Sequence, residues 1–283
     1  MSDITAAPLA AAPEPLPAPA FDSHTHLDML SEPVERVLAD ARAAGIAHVV
    51  TVGCDVESSR WAAACAAEHD GVFAAVAIHP NETARAVART GPDGRAPDRD
   101  AVLALIERLA AQPRVRAVGE TGLDYYRDSA PPRLQREWFR AHVEIARNAG
   151  KALVIHDRDA HDDVLALLSE QDPPAQVVFH CFSGDAELAK RCADRGYVMS
   201  FAGNVTFPSA ANLRAAAAAA PADLILVETD APFLTPVPNR GRQNAPAQVA
   251  HTLRAIAECK QMEVAELCAA VMANGERVFG RWD

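Results

Sequence analysis

Eight short apolar runs alternate with stretches rich in Ala, Leu, Glu and Arg along residues 21–283, and this alternation restricts the fold more than any other feature. The runs lie at 21–24, 48–53, 72–79, 116–120, 152–156, 176–180, 197–201 and 224–229. Helix-like stretches at 33–44, 58–68, 100–111, 132–149, 160–170, 186–195 and 210–220 fall between them, and two more follow at 246–259 and 264–279. A helix between consecutive strands is the usual crossover of a parallel sheet. Parallel strands covered on both faces read as unbroken apolar runs, as Leu224-Ile225-Leu226-Val227 does. Gly45, Gly71, Gly150 and Gly196 stand where a helix would end before the next strand, since glycine accepts the left-handed conformation that closes a helix. The expectation is a single-domain α/β protein, a (β/α)8 TIM-type barrel, rather than an open doubly wound sheet. The last two helices are expected on its exterior.

With 283 residues, the chain matches the length of about 250 typical of such barrels. Residues 1–20 are mostly Ala and Pro, carry no basic residue and lack the pattern of a secretory signal, so a disordered tail is expected there. The barrel is assigned to 21–283, with Gly91 to Pro97 as a polar surface loop. No apolar run approaches the roughly 20 residues needed to cross a bilayer. The six cysteines form no C-x-x-C pair, which points to reduced thiols and a soluble, cytoplasmic protein. A net charge of -11 removes the basic footprint of proteins that hold nucleic acid by phosphate neutralisation alone. A polyanionic substrate would therefore need cations and arginines placed at the site itself.

The chemistry-bearing residues stand where the expected strands end. The first run leads into His24-Thr25-His26, the third ends at His79, the fourth at Glu120, the fifth at His156 and the sixth at His180, while the eighth leads into Asp230. Residues i and i+2 of a strand share a face, so His24 and His26 can reach one ion. A lone His-x-His is common, and a single strand-end histidine more often satisfies a core hydrogen bond. Glu120 or Asp230 alone could cap a helix. Six such residues in five separate β-α units are hard to assign to coincidence, because barrel enzymes build their sites at the carboxyl ends of the strands. Imidazole and carboxylate donors suit Zn²⁺, Mn²⁺ or Fe²⁺, with Mg²⁺ where carboxylate and water dominate. Counting donors gives two divalent metal ions: His24, His26 and Asp230 around one, His156 and His180 around the other, and Glu120 bridging. Two ions at about 3.5–4 Å can hold both the attacking and the leaving oxygen of a phosphodiester.

Six segments carry a resemblance: Phe21-Asp-Ser-His-Thr-His-Leu-Asp28, Ile78-His-Pro80, Val118-Gly-Glu-Thr-Gly-Leu-Asp-Tyr-Tyr-Arg127, Val154-Ile-His-Asp-Arg-Asp-Ala160, His180-Cys-Phe-Ser-Gly184 and Leu226-Val-Glu-Thr-Asp-Ala-Pro-Phe-Leu234. In this order, and over nearly all of the chain after residue 20, they resemble the TatD family of metal-dependent deoxyribonucleases, which are amidohydrolase-like barrels. The resemblance implies a divalent-metal hydrolase cleaving phosphodiester bonds in DNA, as a 3′-to-5′ exonuclease acting on a single strand or a free 3′ end. It implies His24, His26, Glu120, His156, His180 and Asp230 as metal ligands. Glu120 and Asp230 are then the catalytic carboxylates, and Asp230 is able to take a proton from the nucleophilic water. His79 becomes a substrate contact. Arg127, Arg158, Arg240 and Arg242 follow expected strands, and their guanidinium forks suit phosphate. Asn81 stands where many relatives have a second histidine and Asp157 where a small polar residue is frequent, departures that spare the ligands. Cys181 is expected to face away from the site.

Two other activities fit the same residues. A small-molecule amidohydrolase or esterase needs much the same metal site, although such relatives often bridge their ions with a modified lysine where this chain has Glu120. A D-aminoacyl-tRNA deacylase would keep nucleic acid as partner and change the bond cleaved.

Overall fold

The computed structural model describes residues 7–88 and 98–282. Eight strands follow one another in the order β1 to β8 in one eight-stranded sheet: β1 (Ala20–Thr25), β2 (Ile46–Gly53), β3 (Val72–Val76), β4 (Val115–Asp124), β5 (Ala152–Arg158), β6 (Val177–Phe179), β7 (Val198–Phe201) and β8 (Ile225–Val227). Among the described residues ten helices alternate with or follow them: α1 (Val34–Ala43), α2 (Val56–Glu68), the single-turn α3 (Thr83–Ala86), α4 (Arg99–Ala110), α5 (Pro132–Ala149), α6 (His161–Glu170), α7 (Ala186–Ala193), α8 (Ala211–Ala219), α9 (Val249–Lys260) and α10 (Val264–Phe279). This is the expected (β/α)8 class, and all eight expected strands are present. The segment Gly91 to Pro97 lies outside the described residues.

The chain forms two compact units, Met1–Thr51 with His180–Asp283, and Val52–Phe179. In the first, β1 pairs in parallel with β2, and β7 with β8. Thr25 bridges to Ala231, so the first strand also meets the chain that leaves the last. Phe21 on β1 is fully buried and packs its ring against Phe279 and Trp282, with centroids 6.1 and 4.9 Å away. Gly275 of α10 allows this packing, because a Cβ there would fall 2.5 Å from Phe21 Cζ and 2.6 Å from Trp282 Cζ2.

The Ala/Pro-rich segment is not a loose tail from Pro8 onward, contrary to the expectation from its composition. Ala10 N–H donates to the Gln243 carbonyl at 2.9 Å, and Leu16 N–H to the Ala44 carbonyl at 3.0 Å. Side chains accept the role that a ladder would otherwise fill: Gln248 donates to the Ala11 carbonyl at 2.8 Å, and Arg254 to the carbonyls of Glu14 and Pro15 at 2.9 and 3.0 Å. Proline removes donors but leaves carbonyl acceptors, and composition does not reveal that matching donors exist elsewhere in the chain.

In the second unit β3, β4 and β5 pair in parallel, as do β5 and β6. Strand β3 stops at Val76, three residues short of the expected His79. Beyond it, Ile78 N–H donates to His142 Nε2 at 3.3 Å and His79 N–H to the Cys54 carbonyl at 2.8 Å, so the chain leaves the ladder there. His142 of α5 is fully buried, and its Nδ1 lies 2.9 Å from Thr121 Oγ1 on β4. Since Nε2 accepts, Nδ1 carries the proton and the ring is neutral. Helix α5 itself starts with Pro132 in its first turn and closes at Gly150, whose φ is 61°.

Two outcomes follow from this packing. Gly→Ala inside a helix ordinarily gains about 1 kcal/mol, but Gly275→Ala should lose roughly 1–3 kcal/mol through overpacking against Phe21; urea midpoints of the two proteins give the sign. Burial lowers the His142 pKa to about 3. Between that value and the ordinary 6.5 the unfolded chain binds a proton that the folded chain refuses, so stability is complete above 6.5 and declines as pH falls. The slope contributed is at most about 1.4 kcal/mol per pH unit. His142→Gln should remove it, and a stability difference between the two proteins that stays constant from about pH 7 to about pH 5 would contradict this assignment.

Candidate metal centre

Strand periodicity sets the first unit's cluster. Asp22, His24 and His26 alternate at i, i+2 and i+4 through and just beyond β1, and Glu228 and Asp230 do the same beyond β8. The Asp22 carboxylate joins the two segments: it accepts Thr229 N–H at 2.9 Å, Thr229 Oγ1–H at 2.5 Å and His24 N–H at 3.2 Å. Burial raises its pKa well above the ordinary carboxylate value, against the pull of those hydrogen bonds. Asp230 N–H donates to the His24 carbonyl at 2.9 Å and His26 N–H to the Ala231 carbonyl at 2.8 Å. Asp230 has φ 53°, a left-handed conformation that Asp tolerates better than most residues, which turns the chain at this point.

The side chains gather accordingly. Asp230 Oδ1 is 3.5 Å from His26 Nε2 and 4.0 Å from His24 Nε2, and the His24 and His180 rings stack with centroids 3.8 Å apart. Ligand atoms of His24, His180 and Asp230 all lie within 4.8 Å of one another. Burial works to raise the Asp230 pKa, but its hydrogen bond with His26 and the neighbouring imidazoles outweigh it and hold the carboxyl below its usual range. Behind His180, the fully buried Glu228 places Oε1 3.0 Å from Nδ1 and also accepts Cys181 N–H at 2.7 Å. A carboxylate on Nδ1 fixes that nitrogen as the proton carrier and turns the Nε2 lone pair to ligation.

The second unit repeats the device. Gly122 on β4 pairs with His156 on β5, and its φ of 141° and missing Cβ let the His156 carbonyl approach closely. Glu120 and Asp124, two residues either side of Gly122, thereby flank the imidazole: His156 Nδ1 is 2.7 Å from Glu120 Oε1, and Nε2 is 3.2 Å from Asp124 Oδ2. Asp124 also accepts from Asn81 Nδ2 at 2.9 Å and from the backbone N–H groups of Tyr126 and Arg127 at 3.0 and 2.9 Å. Burial disfavours its charge, yet His156 and these donors prevail and the carboxyl stays far below its ordinary pKa. Asp124 and Glu120 thus face the two ring nitrogens of His156, one each, and fix the plane of the imidazole. His79 accepts Asn81 N–H on Nδ1 at 3.0 Å and directs Nε2 at Glu120 Oε1, 3.4 Å away. Glu120, His79 and His156 form this unit's set of close donors.

One grouping differs from expectation. His180 stands with His24 and Asp230, and His156 with Glu120 and His79, instead of the two histidines being paired with each other. Sequence reading also passed over Asp22, Asp124 and Glu228, although the period of two that selected His24 and His26 reaches all three from His24, Glu120 and Asp230. The arginines are less uniform. Arg158 is half-buried with its guanidinium 4.0 Å from the Tyr126 ring centroid, and Arg240 is exposed and lies 3.7 Å from that of Phe207. Arg127 and Arg242 are exposed; the backbone N–H of the first and the carbonyl of the second are hydrogen-bonded. Asp157 holds His161 Nδ1 at 2.7 Å.

Imidazole nitrogens and carboxylate oxygens clustered in each unit, with one histidine of each fixed by a further carboxylate, match the donor chemistry of divalent transition-metal sites. The comparisons with known proteins agree. A metal-dependent hydrolase named TatD from Mycobacterium tuberculosis is 42% identical over 92% of this chain and 97% of its own length. The metal-dependent hydrolase YabD of Bacillus subtilis is 36% identical over 92% and 98%. Among solved structures, the TatD homologue YjjV of Escherichia coli K12 superposes with a TM-score of 0.81 at 26% identity, covering 93% of this chain and 98% of that one. The family model described as TatD-related DNase matches residues 21–280. The chain is a metal-dependent hydrolase and belongs to the TatD-related DNase family.

Proposed function

We propose that this hydrolase cleaves phosphodiester bonds in DNA, working from a free 3′ end of a single strand and using two divalent metal ions. The observation that carries the reading is the pair of carboxylate-fixed histidines, Glu228–His180 and Asp124–His156, each beside further His and carboxylate donors. In this reading His24, His26, His180 and Asp230 hold one ion, and Glu120 and His156 hold the other. Divalent ions at such sites supply Lewis acidity and a water of lowered pKa, the chemistry that phosphodiester hydrolysis at neutral pH needs.

The protein's own residues do the remaining work. Asp230, kept ionised by its imidazole neighbours, accepts the proton of the attacking water on its carboxylate. Glu228 keeps the proton of His180 on Nδ1, and Asp124 and Glu120 grip His156 by its two nitrogens, so those rings do not rotate away from their tasks. Glu120, buried and approached by His156 and His79, is a fixed negative charge with little freedom to swing. His79, Arg127, Arg158, Arg240 and Arg242 are assigned to phosphate contact. In a chain of net charge -11 the four arginines supply the local attraction that the protein as a whole lacks. The family description, a DNase, supports DNA over other phosphodiesters.

Metal-loaded protein should digest a 3′-end-labelled single strand, and hydrolysis of aminoacyl esters or amides without any phosphodiester cleavage would sink the proposal. Asp230→Asn is expected to lower turnover by about 10²–10⁴-fold, the usual span for a lost general base, with DNA affinity changed far less; a defect confined to binding would exclude the proton-transfer role. Glu120→Ala should lose at least one equivalent of bound metal by elemental analysis, together with activity. Wild-type stoichiometry in that variant would remove Glu120 from the ligand set.

A further inference from the structure

Among the described residues the most exposed large apolar side chain is Tyr126, at 65% of its free surface. Its neighbour Tyr125 shows what an engaged tyrosine looks like here. Tyr125 donates its hydroxyl proton to Asp163 Oδ2 at 2.7 Å and accepts from Arg136 Nε at 2.9 Å. Among the described residues the Tyr126 ring has one partner, the Arg158 guanidinium, whose Cζ lies 4.0 Å from the ring centroid. Among the described residues that guanidinium meets no carboxylate, although Asp157 and Asp159 flank it in sequence.

The pair is rigidly joined to the second unit's cluster. Tyr126 N–H donates to Asp124 Oδ1 at 3.0 Å, and the same carboxylate holds His156 through Oδ2. Arg158 is two residues beyond His156 on the same strand, in register with Asp124, and its carbonyl accepts Tyr125 N–H at 2.9 Å. The ring therefore stands two residues beyond Asp124, at the end of β4, and the guanidinium two residues beyond His156 on the paired β5.

We propose that Tyr126 and Arg158 form a subsite for one unpaired nucleotide of the substrate, with the base stacked on the open face of Tyr126 and the adjoining phosphate neutralised by Arg158. The guanidinium covers the other face of the ring and reinforces it as a platform. A base held in a duplex stacks on its neighbours and cannot use the ring, so the subsite selects an unpaired strand. This inference rests on the phosphodiesterase reading above, and it adds the residues that recognise the nucleotide.

The test compares binding of a fluorescent oligothymidylate with that of an abasic strand of equal length and charge, both in excess chelator so that hydrolysis plays no part. Stacking on one aromatic side chain corresponds to about a 5- to 150-fold change in affinity. Tyr126→Ala should cut the preference for oligothymidylate over the abasic strand by a factor in that range, and Tyr126→Trp should keep it. Arg158→Ala should weaken both strands and flatten the salt dependence by about one ion. An unchanged preference in Tyr126→Ala, or an equal loss on both strands, overturns the stacking role. If metal-loaded wild type still digests DNA in that event, only this subsite fails; if it digests none, the function proposed above fails as well.

Discussion

A carboxylate that holds an imidazole by one nitrogen recurs in both units, and the rest of the site depends on it. Glu228 decides which ring nitrogen of His180 carries the proton, and Asp124, facing Glu120 across the ring, fixes the orientation of His156. A buried histidine without such a partner can change tautomer or rotate, and its lone pair has no fixed direction. The two carboxylates are themselves locked, Glu228 by the Cys181 N–H and Asp124 by Asn81 and two backbone donors. Nearly all of these contacts come from chain within a few residues of a strand end, which ties ligand geometry to the strand ladders.

The same dependence explains the buried polar side chain in each unit. Asp22 is sealed from solvent yet accepts three hydrogen bonds that join the end of β1 to the segment after β8. Removing its acceptors would leave the buried Thr229 donors unpaired, a cost of about 1–3 kcal/mol for each group. In the second unit, neutral His142 performs the matching task by joining Ile78, just beyond β3, to Thr121 on β4. Neither residue belongs to a set of close ligand donors. Both fix the backbone from which those donors project.

Much of this was legible in the sequence. The apolar runs located all eight strands because strands covered on both faces cannot hide their hydrophobicity, and six strand-end residues identified the metal chemistry. Boundaries were less accessible. Strand β3 stops early because Ile78 N–H has a better partner in His142, 64 residues away, and β4 runs on to Asp124 alongside β5. The Ala/Pro segment was misread for a similar reason: its carbonyls are satisfied by Gln248 and Arg254, more than 200 residues further on. Local composition carries no information about partners so distant.

Sequence by itself therefore determined the alternation of strands and helices, the family, and the kinds of donor available for a metal, since each follows from residue type and short spacing. Only the tertiary structure brought possible ligand atoms of His180 close to those of His24 and Asp230, and those of His156 close to Glu120 and His79. It also decided that Glu228 and Asp124 are the carboxylates that orient them. The physical reason is that a strand's period fixes which face a side chain occupies, whereas the neighbour it meets depends on ladder register and on turns such as the one at Asp230, with its φ of 53°.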